Sequence, residues 1–132
     1  PSRLEVSAGA SGATVIDDTY NANPAGAAAA LAALQAHRSP AGRAVVVTPG
    51  MVELGPRQGE ENAAFGAAAA AAATDLVVVG RTNRAALVEG ASGGQAEVRV
   101  VERRADAVAW VRANLGPGDV VLYENDLPDH FP

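Results

Sequence analysis

Short runs of consecutive aliphatic residues constrain the fold of this chain more than any other feature. Two such runs are Val45-Val46-Val47 and Leu76-Val77-Val78-Val79. A strand that is apolar at every position is buried on both faces, which is typical of a parallel sheet covered by helices. These runs alternate with helical, alanine-rich segments at 25–37 and up to about residue 73. The alternation therefore indicates βαβ units rather than a bundle or a sandwich.

The remaining patterns complete this α/β prediction. Further strands are predicted at 3–7, 13–17, 98–101 and 119–123, and the segment from 124 onward reads as a polar, irregular tail. Asn23 followed by Pro24 is typical of a helix start, with a cap and then proline in the first helical position. We predict a Rossmann-like, open, mostly parallel sheet of about six strands with helices on both faces. The first two strands, joined by a glycine-rich turn, form an N-terminal hairpin.

Composition excludes several classes of function. The 132 residues carry a formal net charge of -5, and all ten basic residues are arginine. Without lysine or cysteine there is no P-loop lysine, Schiff base, thiolate metal site or disulfide. No basic patch suggests a nucleic-acid partner, and no apolar run is long enough to span a membrane. The chain starts at Pro1 without methionine, which we interpret as a piece of a longer protein.

Polar residues cluster where the predicted strands end, and such ends share one edge of a parallel sheet. Asp17 and Asp18 follow the second strand and could bind a divalent cation or ribose hydroxyls; alternatively, one caps a turn or pairs with an arginine. Tyr20, in the next loop, could pack on a base or line a substrate channel. Arg3 suits a bidentate contact with phosphate, although it is equally compatible with a surface arginine.

Three motifs in order resemble the C-terminal domain of the Mur ligases over nearly the whole chain. They are DDTYNANP at 17–24, preceded by Arg3-Leu4-Glu5, then MVELG at 51–55 and GDVVL at 118–122. The resemblance implies that residues 1–132 are the C-terminal (glutamate ligase-type) domain of a cytoplasmic, three-domain, ATP-dependent amide ligase of peptidoglycan precursor synthesis. The implied partners are the N-terminal and central domains, a UDP-muramoyl-peptide and an incoming amino acid or dipeptide, without nucleic acid or membrane.

The resemblance also implies roles for individual residues. Arg3 matches an arginine that reaches the ATP phosphates when the domain closes, so we predict it to be catalytic. Asp18 lies where an acid approaches the nucleotide ribose. The nucleotide and the incoming substrate are expected at the loop of Tyr20, Asn21 and Asn23. Glu53, in the ELG segment, is a candidate substrate-binding residue for which a structural role is equally expected.

ATP and Mg²⁺ are both expected to be held mainly by the central domain, so no metal ligand is predicted in this chain. The chain alone is accordingly predicted to be inactive.

Two departures from the family pattern leave the incoming amine open. Pro49-Gly50-Met51 replaces the usual GDM, and residues 123–132 replace the usual basic KGSR-like segment. One alternative is a related ligase with a different amine substrate, folylpolyglutamate-like or amidating. The other is a stand-alone Rossmann-like binding module without catalysis.

Overall fold

A computed structural model describes residues 4–18 and 23–125. Within these ranges the chain forms six strands and four α-helices, and a 3-10 turn at Gly55–Arg57 precedes the second helix. The strands are β1 (Glu5–Ala8), β2 (Thr14–Asp18), β3 (Ala44–Thr48), β4 (Asp75–Val79), β5 (Glu97–Val101) and β6 (Val120–Glu124). The helices are α1 (Pro24–Ala36), α2 (Gln58–Ala72), α3 (Arg84–Ala91) and α4 (Arg104–Asn114).

The described strands form one sheet in the order β1-β2-β6-β3-β4-β5. β1 runs antiparallel to β2, with Val6 opposite Ile16, and the other neighbouring strands are parallel. The predicted mostly parallel sheet and its N-terminal hairpin are therefore confirmed. β6 is the last strand of the described residues but lies between β2 and β3, so the chain returns through α4 from the β5 edge to the middle of the sheet.

Helices cover both faces of the sheet, as predicted, but unequally. α1, α2 and α3 pack on the face that carries Ile16 and Leu122, whereas α4 packs on the face that carries Val121. β3 and β4 are buried at every position, which explains their continuous aliphatic sequence. None of the helices in the described ranges has the length and hydropathy that a membrane span requires.

Small residues let α2 and α3 approach each other closely. A Cβ atom on Gly66 would collide with the carbonyl group of Leu87, and one on Gly90 would collide with the carbonyl group of Ala63. The contacts are to backbone atoms, which cannot rotate away as a side chain can. The glycines and alanines of α2 therefore determine the separation of the two helices as well as favouring helix formation.

A charged cluster joins the amino ends of the central strands on the α4 face. The buried carboxylate of Asp75 accepts hydrogen bonds from Arg43 (2.9 Å), Arg99 (2.8 Å) and the hydroxyl of Thr74 (2.7 Å). The guanidinium groups of Arg43 and Arg99 lie 5.2 and 4.4 Å from the centre of the Trp110 ring. The cluster ties β3, β4 and β5 to α4 at the edge opposite the predicted site.

Two predictions about the ends of elements have different outcomes. Asn23 caps α1 as predicted, because its side-chain oxygen accepts a hydrogen bond from the Gly26 N–H at 2.8 Å and Pro24 opens the helix. The assignment of Glu124 to an irregular tail is wrong. Glu124 is the last residue of β6 and is fully buried, because it pairs in register with β2.

Candidate functional site

The carboxyl ends of the neighbouring parallel strands β2, β6 and β3 lie side by side at one edge of the sheet. Asp18 ends β2, Glu124 ends β6 and Thr48 ends β3. In open α/β sheets, ligands bind outside the carboxyl ends of the strands. We call these three strand ends and the loop 49–54 the central rim.

Two buried carboxyl groups form the centre of this rim. Asp18 and Glu124 are register partners on neighbouring parallel strands, with 1% and 0% of their surfaces exposed. Within the described part of the chain, no N–H or O–H group donates to either carboxyl oxygen of Glu124. Burial, with the hydrogen bond and the negative charge of Asp18, raises the pKa of Glu124 to about 10. Glu124 is therefore neutral at pH 7.

Asn125 connects this pair to the loop after β3. Its backbone N–H donates to the Asp18 carbonyl at 2.9 Å, and its side-chain amide donates to the Gly50 carbonyl at 2.7 Å. Asn125 adopts a φ of 54°, in the left-handed region that asparagine tolerates better than most residues. The chain turn after β6 thus fixes β2 and the loop 49–54 relative to each other.

A network of buried amide groups holds the same loop from the other side. The side chain of Asn62 accepts from the Met51 N–H at 2.8 Å and donates to the Met51 carbonyl at 2.9 Å. Gln58 donates to that carbonyl at 2.6 Å and to the side-chain oxygen of Asn83 at 2.8 Å. Asn83 precedes α3, but its side chain makes no cap hydrogen bond and instead donates to the half-buried Pro49 carbonyl at 3.0 Å.

Glu53 lies in the segment that this network orders. Its side chain is exposed and its backbone has a φ of 63°, which is uncommon for a residue other than glycine or asparagine. Such conformations cost about 1–3 kcal/mol and persist where the surroundings impose them. The geometry presents Glu53 to solvent three residues after Gly50, and its substrate-binding role stays a prediction.

Only some of the predicted site residues lie within the described residues. Asp18 lies in the central rim, but its carboxyl group is covered, so its contact with a ribose stays a prediction. Asn23 lies at the first turn of α1, with its side-chain oxygen engaged in the helix cap. Arg3, Tyr20 and Asn21 lie outside the described residues.

The outer part of the same edge carries a separate ion-pair cluster. Arg81 and Arg84 both bind the carboxylate of Glu102, at 3.0 and 3.2 Å, and all three follow β4 or β5. These strand ends were expected to converge with Asp18, but β3 and β6 separate them from β2 in the sheet order. No group of three or more His, Cys, Asp or Glu in residues 4–18 and 23–125 is arranged to hold a metal ion.

An open groove of about 120 Å³ lies between α1 and α2, beside Met51. Most of the residues that line it are apolar, and four of them are alanines. The charged residue that lines it, Glu61, is held by Arg57 at 2.8 Å. The groove therefore offers apolar surface but no cation for a phosphate.

Asn62→Ala is expected to destabilise the domain by about 2 kcal/mol, because it leaves the buried N–H of Met51 without its acceptor. Urea denaturation would measure the loss, and hydrogen exchange would show faster exchange at Met51. Asn114→Ala is the matched control, since exposed Asn114 bonds only to its own helix at Trp110 and should change stability by less than about 0.5 kcal/mol. Equal losses in the two variants would contradict the role of the network.

The pairing of Asp18 with Glu124 and the amides that hold the loop were not predicted from the sequence. The sequence shows an acidic residue after each of two predicted strands, but it does not show the strand order that makes these two residues neighbours. Asn62 and Gln58 sit on a helix otherwise rich in alanine, and polar amides on the sheet-facing side of such a helix are the available signal.

The open, mostly parallel sheet, with helices on both faces and a polar rim at the carboxyl ends of β2, β6 and β3, defines a Rossmann-like α/β domain. The chain belongs to the family described as Mur ligase, glutamate ligase domain, whose model matches residues 2–123. Similar curated proteins are named UDP-N-acetylmuramoyl-tripeptide--D-alanyl-D-alanine ligase. That of Mycobacterium leprae is 40% identical over 91% of this chain, and that of Mycobacterium tuberculosis H37Rv is 39% identical over 91%. The chain spans about a quarter of the length of these relatives, namely 26% and 27%.

Solved structures agree in fold. A crystal structure of MurF from Acinetobacter baumannii superposes with a TM-score of 0.75 at 26% identity, over 94% of this chain and 27% of that one. MurF from Thermotoga maritima in complex with ADP has a TM-score of 0.68 at 23% identity, over 96% of this chain and 27% of that one. The predicted family and fold are therefore confirmed.

Proposed function

We propose that residues 1–132 are the C-terminal domain of a longer, cytoplasmic, three-domain ligase that joins D-alanyl-D-alanine to a UDP-muramoyl-peptide at the expense of ATP. The observation that carries the proposal is the family match over residues 2–123, together with relatives about 40% identical that bear this ligase's name. The N-terminal and central domains of the same ligase are its proposed partners.

The chemistry of the central rim fits one end of a nucleotide. Carboxyl groups accept hydrogen bonds from hydroxyls, so Asp18 suits a ribose better than a phosphate. Because its carboxyl group is covered in this structure, that contact requires the rim to open when the nucleotide binds. The phosphates need a cationic donor, which we assign to Arg3 on the basis of the family resemblance. Tyr20 and Asn21, which follow Asp18 in the sequence, would complete the contact with the nucleotide.

Mg²⁺ is assigned mainly to the central domain. The described residues present two adjacent carboxyl groups, one of which is neutral, whereas a Mg²⁺ site needs several oxygen ligands in octahedral geometry. Residues 4–18 and 23–125 do not fit a complete magnesium site by themselves.

In the proposed reaction, a carboxylate of the UDP-muramoyl-peptide takes the terminal phosphoryl group of ATP and ADP leaves; the amino group of the incoming dipeptide then attacks the acyl phosphate, forming the amide bond and releasing phosphate and a proton. This domain closes over the central domain, brings Arg3 to the phosphates and presents Asn21, Asn23 and Glu53 to the dipeptide. An arginine that arrives only on closure stabilises the developing charge once both substrates are bound.

The proposal predicts that Arg3→Ala lowers kcat of the full-length protein about 100-fold or more, because a charge-stabilising donor is lost from the transition state. Phosphate release with a UDP-muramoyl-tripeptide, ATP and D-alanyl-D-alanine would measure this. Arg112→Ala, on the exposed last turn of α4, is the matched control and should retain wild-type turnover.

Three outcomes would contradict the proposal. They are ligation by residues 1–132 alone, equal losses in Arg3→Ala and Arg112→Ala, and turnover with glutamate in place of D-alanyl-D-alanine. The last outcome would favour the folylpolyglutamate-like alternative.

A further inference from the structure

Asp18 and Glu124 lie on the same face of the sheet and in the same layer. Ile16 and Leu122, two residues earlier on each strand, are also register partners and point into the core beneath α1, α2 and α3. Because side chains alternate along a strand, Asp18 and Glu124 point to this same face. The two carboxyl groups are therefore neighbours inside the protein rather than at its surface.

The described elements that flank this pair carry no cation. α1, which packs on β2 and β6, has no ionisable side chain from Pro24 to Ala36, and neither does β3 from Ala44 to Thr48. Asp18 is the charged group that acts on Glu124, and Asn125 beside them is neutral. Two adjacent carboxylates would repel each other strongly in such a poorly hydrated setting.

We propose that Glu124 is a neutral hydrogen-bond donor to the Asp18 carboxylate, and that this bond positions the end of β2 at the central rim, where the nucleotide is proposed to bind. A single proton on the pair removes the repulsion and joins the two groups by a hydrogen bond, as in other paired carboxyl groups. The raised pKa of Glu124 agrees with this arrangement. The nucleotide part of the inference rests on the function proposed above.

The shared proton acts on the site through the backbone as well as through the Asp18 side chain. The Asp18 carbonyl already accepts from Asn125, whose side chain holds Gly50. With its carbonyl group bonded to Asn125 and its carboxyl group bonded to Glu124, Asp18 has a fixed orientation at the end of β2. Glu124 is thus a positioning residue, not a catalytic one.

A first experiment tests the proton directly in the full-length protein. The infrared difference spectrum between wild type and Glu124→Gln at pH 7.5 is expected to show the carbonyl band of a protonated carboxyl group in the wild type. Circular dichroism confirms that the variant is folded. Carboxylate bands instead of the protonated band would overturn the proposal, whatever the protein catalyses.

A second experiment tests the positioning role by kinetics. Glu124→Ala is expected to raise KM for ATP about tenfold with a smaller effect on kcat, as expected for a lost hydrogen bond to a charged group. Glu124→Gln keeps a neutral donor and should restore most of the affinity lost in the alanine variant. Glu97→Gln, which is exposed at the opposite edge of the sheet, is the control for removal of an acid and should behave as wild type.

The pH profile separates positioning from a merely structural role. In the wild type, KM for ATP should rise as the pH approaches 10 and Glu124 ionises, whereas the glutamine variant should lack that rise. Loss of affinity in Glu124→Gln equal to that in Glu124→Ala, or identical pH profiles, would overturn the proposal. If the wild type fails to ligate, the proposed function fails, and the infrared result still decides whether Glu124 holds the proton.

Discussion

Gly90→Ala is expected to lower the free energy of unfolding by about 3 kcal/mol, among the largest effects of any single methyl group in this domain. The added Cβ atom would overlap the backbone of Ala63, and relief requires α3 to move away from α2. Alanine's higher helix propensity returns less than about 1 kcal/mol. Gly66→Ala, which meets the Leu87 carbonyl from the other helix, should destabilise by a similar amount.

Thermal and urea denaturation of the variants would measure this effect. Gly59→Ala is the matched control, because Gly59 lies in α2 and a Cβ atom added to it would meet no heavy atom within 4 Å apart from its chain neighbours and the adjacent backbone of its own helix. That substitution should be neutral or stabilise the domain by up to about 1 kcal/mol. If Gly59→Ala destabilises as much as Gly90→Ala, helix propensity rather than helix separation controls this region.

Asp75→Ala is the second substitution with a large expected effect, a loss of about 3 kcal/mol. It removes the acceptor shared by Arg43, Arg99 and Thr74, and breaking a buried ion pair costs about 3–5 kcal/mol. We expect the lower end of this range because about a third of each arginine side chain is exposed to solvent, 37% for Arg43 and 30% for Arg99. Urea denaturation at pH 7 would measure the loss.

Glu97→Ala is the control for Asp75→Ala. Glu97 also pairs with Arg99, at 2.7 Å, but its side chain is 72% exposed, so its loss should cost less than about 1 kcal/mol. If the two variants lose the same free energy of unfolding, burial of Asp75 does not strengthen its ion pairs.

The contribution of Asp75 should also depend on pH. Burial by itself would raise the pKa of Asp75, but the hydrogen bonds from Arg43, Thr74 and Arg99 and the charge of Arg43 hold it below its ordinary value of 3.8. A carboxyl group with a lowered folded pKa stabilises fully above its unfolded pKa. The stability difference between wild type and Asp75→Asn should therefore persist at pH 5 and shrink as the pH falls below 3.8. A constant difference down to pH 2 would contradict this assignment.

Local sequence patterns predicted most of the architecture because each element carries its own signal. Val45-Val46-Val47 could be read as a doubly buried strand, and Asn23-Pro24 as a helix start, without knowledge of any distant residue. The ends of helices and strands were predicted less accurately, as Glu124 shows. A charged residue after an apolar run resembles a tail unless its strand partner is known.

The candidate site was predictable only in its outline. The DDTYNANP motif identified the loop and Asp18, since those residues lie together in sequence. The partners of Asp18 and of the loop come from positions far along the chain: Asn125 donates to Gly50 across 75 residues, and Asn83 donates to Pro49 across 34. Hydrogen-bond partners at such separations depend on strand order, which periodicity does not encode.

The sequence by itself determined the class of this protein: a mostly parallel α/β domain with the motifs of the Mur ligase family, lacking the lysine of a P-loop. These properties follow from residue type and short-range order. Only the tertiary structure decided that β6 enters between β2 and β3, and hence that Glu124 lies beside Asp18. Burial then decides the chemistry, because a carboxyl group that would be ionised in bulk water keeps its proton where it is buried beside a carboxylate.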